Sequence, residues 1–320
     1  MQYRTLGKTG LNLSQIGIGT WQLGGPLVLN GKSDGHPDVG HDKALALIRQ
    51  CGQIGINFID TAEQYGNGQS ERRVGLAIAG HRDQWILSTK FGAQVGPLGQ
   101  RINDVSAAQF PRSLEGSLRR LQTDHIDIYL YHTTPVPGEA EKVARLLEQA
   151  KQQGKIRATG ISTNDFKHVQ YLHSLGCLDV VEFALNMTWP QPQITDFIAR
   201  HQLGGIIRGV LAAGKLSGKY FHQPPILRPD DVRSNWYDPH AIAADFARYA
   251  VFEELCTPTR DMVQLALRWV LDLPTTHTII LGAKTFAEYA NAAKATDIPP
   301  LTSTECARIT QLSVPLSARR

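Results

Sequence analysis

The sequence predicts an α/β protein folded as a (β/α)8 TIM barrel with an N-terminal β-hairpin, a single domain over residues 1–320. Three observations predict it. Short apolar runs alternate with amphipathic helical stretches eight times along the chain, and eight such units are the number that closes a barrel. The runs are apolar on both faces, as parallel strands covered by helices must be. The length of 320 residues suits one such domain, and no repeat, low-complexity tract or Pro/Ser-rich linker divides it.

Two short strands open the chain, joined at LGKTGLN, where Lys8-Thr9-Gly10 supplies a turn with a glycine free to take positive φ. The first buried strand is SQIGIGT. A helix follows over 42–52, capped by Asp42, with Leu45, Ile48 and Cys51 at three-residue steps. Strand INFID and a helix from about Ser70 form the second unit. Strand WILSTKF and a helix opened by Ser106, with Gln109 at capping-box spacing and Phe110, Leu114, Leu118 and Leu121 on one face, form the third. Next come strand IDIYLYH with the helix over 138–154, IRATGIS with 165–176, and DVVEFAL with 193–201. Strand GGIIR leads into an aperiodic stretch from His222 to His240, long enough to serve as a cover over a ligand. The next helix has Thr257 as its cap and Pro258 at its first position. Strand HTIILG and a helix over 286–295 complete eight units.

Hydrophobic residues make up 42% and charged residues 19%, which excludes a disordered chain and predicts a sizeable core. The net charge of +4 is not gathered into any run, so nucleic acid is not an expected partner. No stretch approaches the roughly 18 apolar residues that span a bilayer, and the N-terminus lacks the apolar core of a signal peptide, so no membrane association and a cytoplasmic location are expected. Cys51, Cys177, Cys256 and Cys306 are widely separated and are read as reduced structural thiols. The histidines show neither HxH on a strand nor HExxH, so no metal is expected. Trp85, Trp189 and Trp269 are read as packing residues, while Trp236 and Tyr237 in the long loop are placed to close over a ligand.

Barrel chemistry sits at the C-terminal ends of the strands. Those ends carry Asp60, Lys90 and His132 on three successive strands, with Tyr65 five residues beyond Asp60. A phenol titrates near ~10 and donates a proton poorly at neutral pH, but a cation within ~4–6 Å favours phenolate and makes it more acidic. Lys90 supplies that cation, Asp60 pairs with Lys90, and His132 offers a hydrogen bond to a substrate oxygen. The quartet polarises a carbonyl but holds no nucleophile, so the attacking species must come from a cofactor, and hydride is the natural candidate.

The stretches YRTLGKTGLNLSQIGIGTWQLGG, GINFIDTAEQYGNGQSERRVGLAI, ILSTKFG, SLEGSLRRLQTDHIDIYLYH, GKIRATGIS and LSGKY, in this order, resemble the aldo-keto reductases, NADPH-using oxidoreductases built on a (β/α)8 barrel. The resemblance runs from about residue 3 to 312, and FIDTAxxYG is its most specific segment. It implies reduction of an aldehyde or ketone to an alcohol, and the reverse on suitable alcohols, with small-molecule carbonyls or alcohols as partners. Tyr65 would be the general acid and base, Lys90 and Asp60 would tune it, and His132 would orient the carbonyl. Some members of the family are non-catalytic NADPH-sensing subunits, which is the alternative reading.

The same resemblance assigns NADP(H) to a set of residues. Gly19, Thr20 and Trp21 follow the first barrel strand, with Trp21 also facing the substrate pocket, and Asp60 borders the nicotinamide. The carboxamide would be held by Ser162, Thr163 and Glu182; here Thr163 replaces the family's Asn, which comes one place late as Asn164, and Glu182 replaces a Gln. A carboxylate accepts from the carboxamide NH2 but cannot donate to its oxygen. Arg208 stands where many members stack an aromatic on the nicotinamide, and its planar guanidinium can stack as well. Gly209, Leu211, Gly214 and Lys219 match the pyrophosphate loop. Gly282 and Lys284 follow the eighth strand, with Lys284 placed against the 2′-phosphate, and Glu288 and Asn291 lie toward the adenine. Two other phosphate motifs fail. Gln22 stands where a third Rossmann glycine belongs after Gly17 and Gly19, and Leu216 follows the GxxxxGK of Gly209 to Lys215 in place of Ser or Thr.

Overall fold

Each of the eight apolar runs alternates one side chain toward the barrel axis and one toward the helices, and that alternation, more than any helix, positions the site. A computed structural model describes residues 1–317; residues 318–320 of the expected domain lie outside the described residues. The barrel strands are β1 (Ile16–Gly19), β2 (Phe58–Asp60), β3 (Ile86–Phe91), β4 (Ile126–Tyr131), β5 (Ile156–Ser162), β6 (Val180–Ala184), β7 (Gly204–Arg208) and β8 (Thr278–Leu281). Each pairs in parallel with the next, and β8 closes onto β1 with Leu281 opposite Ile18. The helices between them are α1 (His41–Gln53), α2 (Gln69–Ile78), α3 (Phe110–Leu121), α4 (Glu139–Gln152), α5 (Phe166–Ser174), α6 (Pro192–His201), α7 (Met262–Leu271) and α8 (Phe286–Ala293). The α/β barrel expected from the sequence is the fold.

Two apolar layers result. Ile18, Ile59, Leu87, Tyr129, Ile161 and Val181 face outward into the packing of the helices. Phe58, Ile128, Leu130, Ala158, Val180 and Ile206 face inward and pack against Leu6, Leu11 and Leu13 of the N-terminal hairpin, whose strands Tyr3–Thr5 and Asn12–Ser14 pair antiparallel. The hairpin thereby plugs the N-terminal end, and each of its buried leucines contributes about 1.5–3 kcal/mol. Its turn forms as expected, with Gly10 at φ +72. Gly17 is required by this interior, because a Cβ there would fall 2.5 Å from the Phe58 ring. No helix among the described residues is long and apolar enough to cross a membrane.

Three helix starts differ from expectation. α1 begins at His41 behind Gly40 at φ +90, so Asp42 lies in the first turn and helps the helix dipole there without capping. α3 begins at Phe110, not at Ser106, because Pro111 fits the first turn, where no N–H is needed, and would break a helix already under way. Ser106 instead accepts from Gln109 and Phe110 in a preceding turn. α7 begins at Met262 behind Asp261, which accepts from the Gln264 N–H while the Gln264 side chain accepts from the Asp261 N–H. Thr257 and Pro258 lie in a tight turn closed between Thr257 and Arg260. Trp189 is 38% exposed and so is not the core residue expected. The stretch 222–240 contains a 3-10 turn, Val232–Asn235, and a helix without counterpart in the sequence reading, Ser303–Ser317, ends the described chain.

Candidate active site

The inward parity of Phe58 carries to Asp60, that of Ile86 to Lys90, that of Leu130 to His132, that of Val180 to Glu182 and that of Ile206 to Arg208. Pairing sets their levels. Asp60 lies opposite Ser88, Lys90 opposite Leu130, and Ser162 opposite Glu182. Six polar side chains from six strands therefore meet at the C-terminal mouth.

Lys90 is wholly buried and its ammonium donates to Asp60 Oδ1 and to the Thr61 carbonyl at 3.1 Å. A second carboxylate, Glu182, stands 3.3 Å from the same Nζ. The Lys90 nitrogen lies 5.4 Å from the centre of the Tyr65 ring. Tyr65 is stacked on Trp21 at 5.9 Å and meets the edge of His132 at 5.5 Å. The loop bearing Tyr65 is held by close backbone contact: a Cβ on Gly66, at φ +57, would fall 2.0 Å from the Gly24 carbonyl oxygen. The structure thus brings together Asp60, Tyr65, Lys90 and His132.

The charges correct one expectation. Burial pushes the Tyr65 phenol up to about 12, and the pull of Lys90 toward acidity does not overcome it, in part because Asp60 and Glu182 offset that cation. Burial, then repulsion from Glu182, pushes Asp60 up to about 8 despite Lys90. For Lys90, burial opposes the charge, but the two carboxylates more than reverse this and hold the ammonium above its ordinary value. Burial and the charges of Lys90, Arg208 and Arg101 hold the His132 imidazole far below its usual range, so it is neutral at physiological pH, and its Nδ1 is buried without a hydrogen-bond partner.

Around the mouth, Ser162 donates to Glu182 at 2.7 Å, and the Arg208 guanidinium lies 3.8 Å from the same carboxylate and donates to Asn164 at 3.2 Å. Asn164 also brackets the end of β6, donating to the Ala184 carbonyl and accepting from its N–H. Thr163 pairs its backbone N–H with the Glu182 carbonyl. Thr20 is buried and spends its hydroxyl on the Asp60 carbonyl and on Ser70, tying β1 to β2, while Gly19 lies opposite Asp60 in the barrel ladder. After β7, Gly209, Ala212, Ala213 and Gly214 all have positive φ. The turn closes on itself, the N–H groups of Ala212 and Gly214 donating to the carbonyls of Gly209 and Leu211 at 2.9 Å. Leu211 precedes this turn, and Lys219 sits over the Tyr220 ring at 5.4 Å. Gly282 abuts Gln22, whose amide donates to the carbonyls of Gly19 and Ala283.

Lys284 is half-buried, with Asp231, Arg233, Glu288 and Asp230 in its field. Glu288 caps α8, accepting from the N–H groups of Lys284 and Thr285. Asn291 donates to Asp261 and accepts from Gln264 at the start of α7. Among the described residues no group of three or more His, Cys, Asp or Glu side chains gathers as a metal centre. A dinucleotide and its carbonyl substrate suit these residues: the His132 Nδ1 is buried at the mouth without a hydrogen-bond partner, a glycine-bearing turn follows β7, and a lysine follows β8.

Sequence reading placed Trp21 and Trp236 beside the ligand but missed the layer of Asp34, His36, Arg101 and Asp231 that ties them down. Trp21 donates to the Asp34 carbonyl at 3.0 Å and packs against His36 and Trp236. Arg101 bridges Asp34 at 2.6 Å and Gln64 at 3.1 Å, and His36 lies 3.5 Å from Asp231. These partners come from segments far apart in the chain, with no local spacing to reveal them.

The Aldo/keto reductase family model matches residues 15–314. The chain belongs to that family. It is 31% identical over 294 residues to the aldo-keto reductase YhdN of Bacillus subtilis, covering 89% of this chain and 85% of the relative. It is 30% identical over 298 residues to the NADH-specific methylglyoxal reductase of Escherichia coli, covering 87% and 88%. The glycerol dehydrogenase AKR11B4 of Gluconobacter oxydans superposes with a TM-score of 0.82 at 28% identity, over 98% of this chain and 96% of that one. Aldo-keto reductases are oxidoreductases that use nicotinamide cofactors, and the names of these relatives differ in cofactor and substrate.

Proposed function

We propose that this protein reduces aldehyde or ketone carbonyls to alcohols with NADPH, and oxidises suitable alcohols in reverse, with Tyr65 as the proton donor and acceptor. The observation that carries the reading is the convergence of Tyr65, Lys90, Asp60 and His132 at the barrel mouth. When bound, the reduced nicotinamide supplies hydride to the carbonyl carbon. The chain's own groups manage the oxygen. The neutral His132 imidazole donates one hydrogen bond to it, fixing the carbonyl, and Tyr65, protonated at neutral pH, gives its proton as negative charge develops there. Lys90 then faces the phenolate, and Asp60 keeps the ammonium in place. Trp21, stacked on Tyr65, shields the phenol from water.

Binding of the dinucleotide is assigned to the mouth and the loops after β7 and β8. Ser162, Thr163 and Glu182 face the carboxamide, Arg208 the nicotinamide ring, Gly19, Thr20, Trp21 and Asp60 its surroundings, and Gly209, Leu211, Gly214 and Lys219 the pyrophosphate. Lys284, beside Gly282, favours the 2′-phosphate, with Glu288 and Asn291 toward the adenine. The test is Tyr65→Phe, for which turnover over a carbonyl panel should fall by about 10²–10⁴ while NADPH fluorescence titration stays near wild type. Undiminished turnover would overturn the assignment. Tight NADPH binding by the wild type with no turnover of any carbonyl would favour a nucleotide-sensing role, and equal binding of NADH would remove the role given to Lys284.

A further inference from the structure

Glu182 stands where the sequence resemblance implies a glutamine, and the consequence of the carboxylate here lies in what it touches. The Lys90 ammonium is clamped between two acids, Asp60 Oδ1 on one side and Glu182 Oε2 at 3.3 Å on the other, and both acids are 1% exposed. Glu182 is itself fixed from behind, accepting from Ser162 at 2.7 Å, with the Arg208 Nε at 3.8 Å. It cannot swing away from Lys90 without abandoning both contacts.

We propose that Glu182 is a positioning residue for proton transfer: it engages part of the Lys90 charge that would otherwise act on Tyr65, and so keeps the phenol a proton donor. The proposal rests on Tyr65 being the acid and base. The groups facing Tyr65 are Lys90 from β3, Asp60 from β2, Glu182 from β6, Arg208 from β7 and the neutral His132 after β4, with Trp21 on its outer face. At the pH where Tyr65 titrates, above the Asp60 value of about 8, two cations stand against two carboxylates, so no net positive field remains to offset the burial of a phenolate. Glu182 acts on the phenol in the same sense as Asp60, and opposite to Lys90 and Arg208. Removing its charge leaves Lys90 with a single counterion and turns the balance toward phenolate. The carboxylate therefore biases the site toward carbonyl reduction at neutral pH, because alcohol oxidation needs Tyr65 to arrive unprotonated.

Glu182→Gln removes the charge and keeps the shape. Full-length protein without cofactor, carrying [13Cζ]tyrosine, is titrated by NMR, with the Tyr65 resonance assigned by its loss in Tyr65→Phe. In Glu182→Gln this resonance should titrate about one pH unit lower than in wild type, and the acid limb of the alcohol-oxidation pH profile should move the same way. Glu182→Asp, which preserves charge, should return toward the wild-type titration. Should Glu182→Gln fail to fold by thermal melting, Glu182→Met must give the same downward shift. An unchanged or upward shift in the neutral variant overturns the proposal, even if turnover falls. Because the titration needs no turnover, its failure is separable from that of the reductase reading, which the wild-type carbonyl panel decides.

Discussion

Replacing Lys90 by Met exposes how much of the barrel mouth depends on one ammonium. The substitution preserves most of the side-chain volume but leaves Asp60 and Glu182 facing each other with no cation between them, each 1% exposed. Breaking a buried ion pair by removing one partner costs about 3–5 kcal/mol, because the remaining charge stays desolvated. Unfolding entropy near 2.1 cal/mol/K per residue gives about 0.7 kcal/mol/K for 320 residues, so the melting temperature should fall by about 4–7 °C at pH 10, where Asp60 of the wild type is ionised. The sign of the pH dependence follows from Asp60. Its carboxyl is already pushed up to about 8 by burial and Glu182 with Lys90 present, and without Lys90 it rises further. An acid whose folded value lies above its unfolded one, near ~4, lends stability below that unfolded value and loses it as pH rises. The wild type shares that loss up to about pH 8, so the variant's deficit should widen from pH 7 to pH 10, and Lys90→Met/Glu182→Gln should recover part of it. Calorimetric melts of the three proteins across that range decide the matter. A deficit absent at pH 10, or constant with pH, would refute the electrostatic account of the mouth.

Two further outcomes follow from neighbouring groups. Burial, with added repulsion from Glu71, pushes Glu63 up to about 7 beneath the Tyr65 loop, so the wild type should lose on the order of 3 kcal/mol of stability as pH climbs from about 4.5 to 7. Glu63→Gln keeps an oxygen for the Gly92 N–H and should flatten that slope in urea titrations at pH 5 and pH 8; equal slopes in the two proteins would contradict it. Gly66→Ala forces a Cβ into the Gly24 carbonyl next to Tyr65. Turnover should drop by about 10²-fold, with a lowered melting temperature and NADPH titration little changed, since a misplacement near 1 Å at a reacting group costs that much. Wild-type turnover would mean that the loop has slack the geometry denies.

The parts of the barrel legible in the sequence were those set by local periodicity. Inward and outward positions alternate with period two, so INFID, WILSTK and IDIYLYH each announced both a strand and the polar residue at its mouth. Helix starts were less legible, because Ser106 and Thr257 are competent caps and only Pro111 and the Asp261–Gln264 box decide against them. The stretch 222–240 with Trp236 was legible as a cover, but the residues it closes on were not. Trp21 meets Trp236, and Asp34 meets Arg101, across separations that only closure of the barrel and folding of its loops create.

Glu182 shows the limit most sharply. Its identity and its strand position were plain, but its partner Lys90 lies three strands away, and with that partner the sign of Tyr65's perturbation changes. A lysine beside a tyrosine read in isolation makes the phenol acidic; the same lysine shared between two buried carboxylates does not, and desolvation then prevails. A protonated phenol is the state that carbonyl reduction requires at its start, whereas the ammonium is needed only as the proton departs. On the proposed mechanism, a site built this way would hold its donor loaded at neutral pH and make the lysine's charge felt most when phenolate forms, so that the favourable interaction is greater in the transition state than in the resting protein.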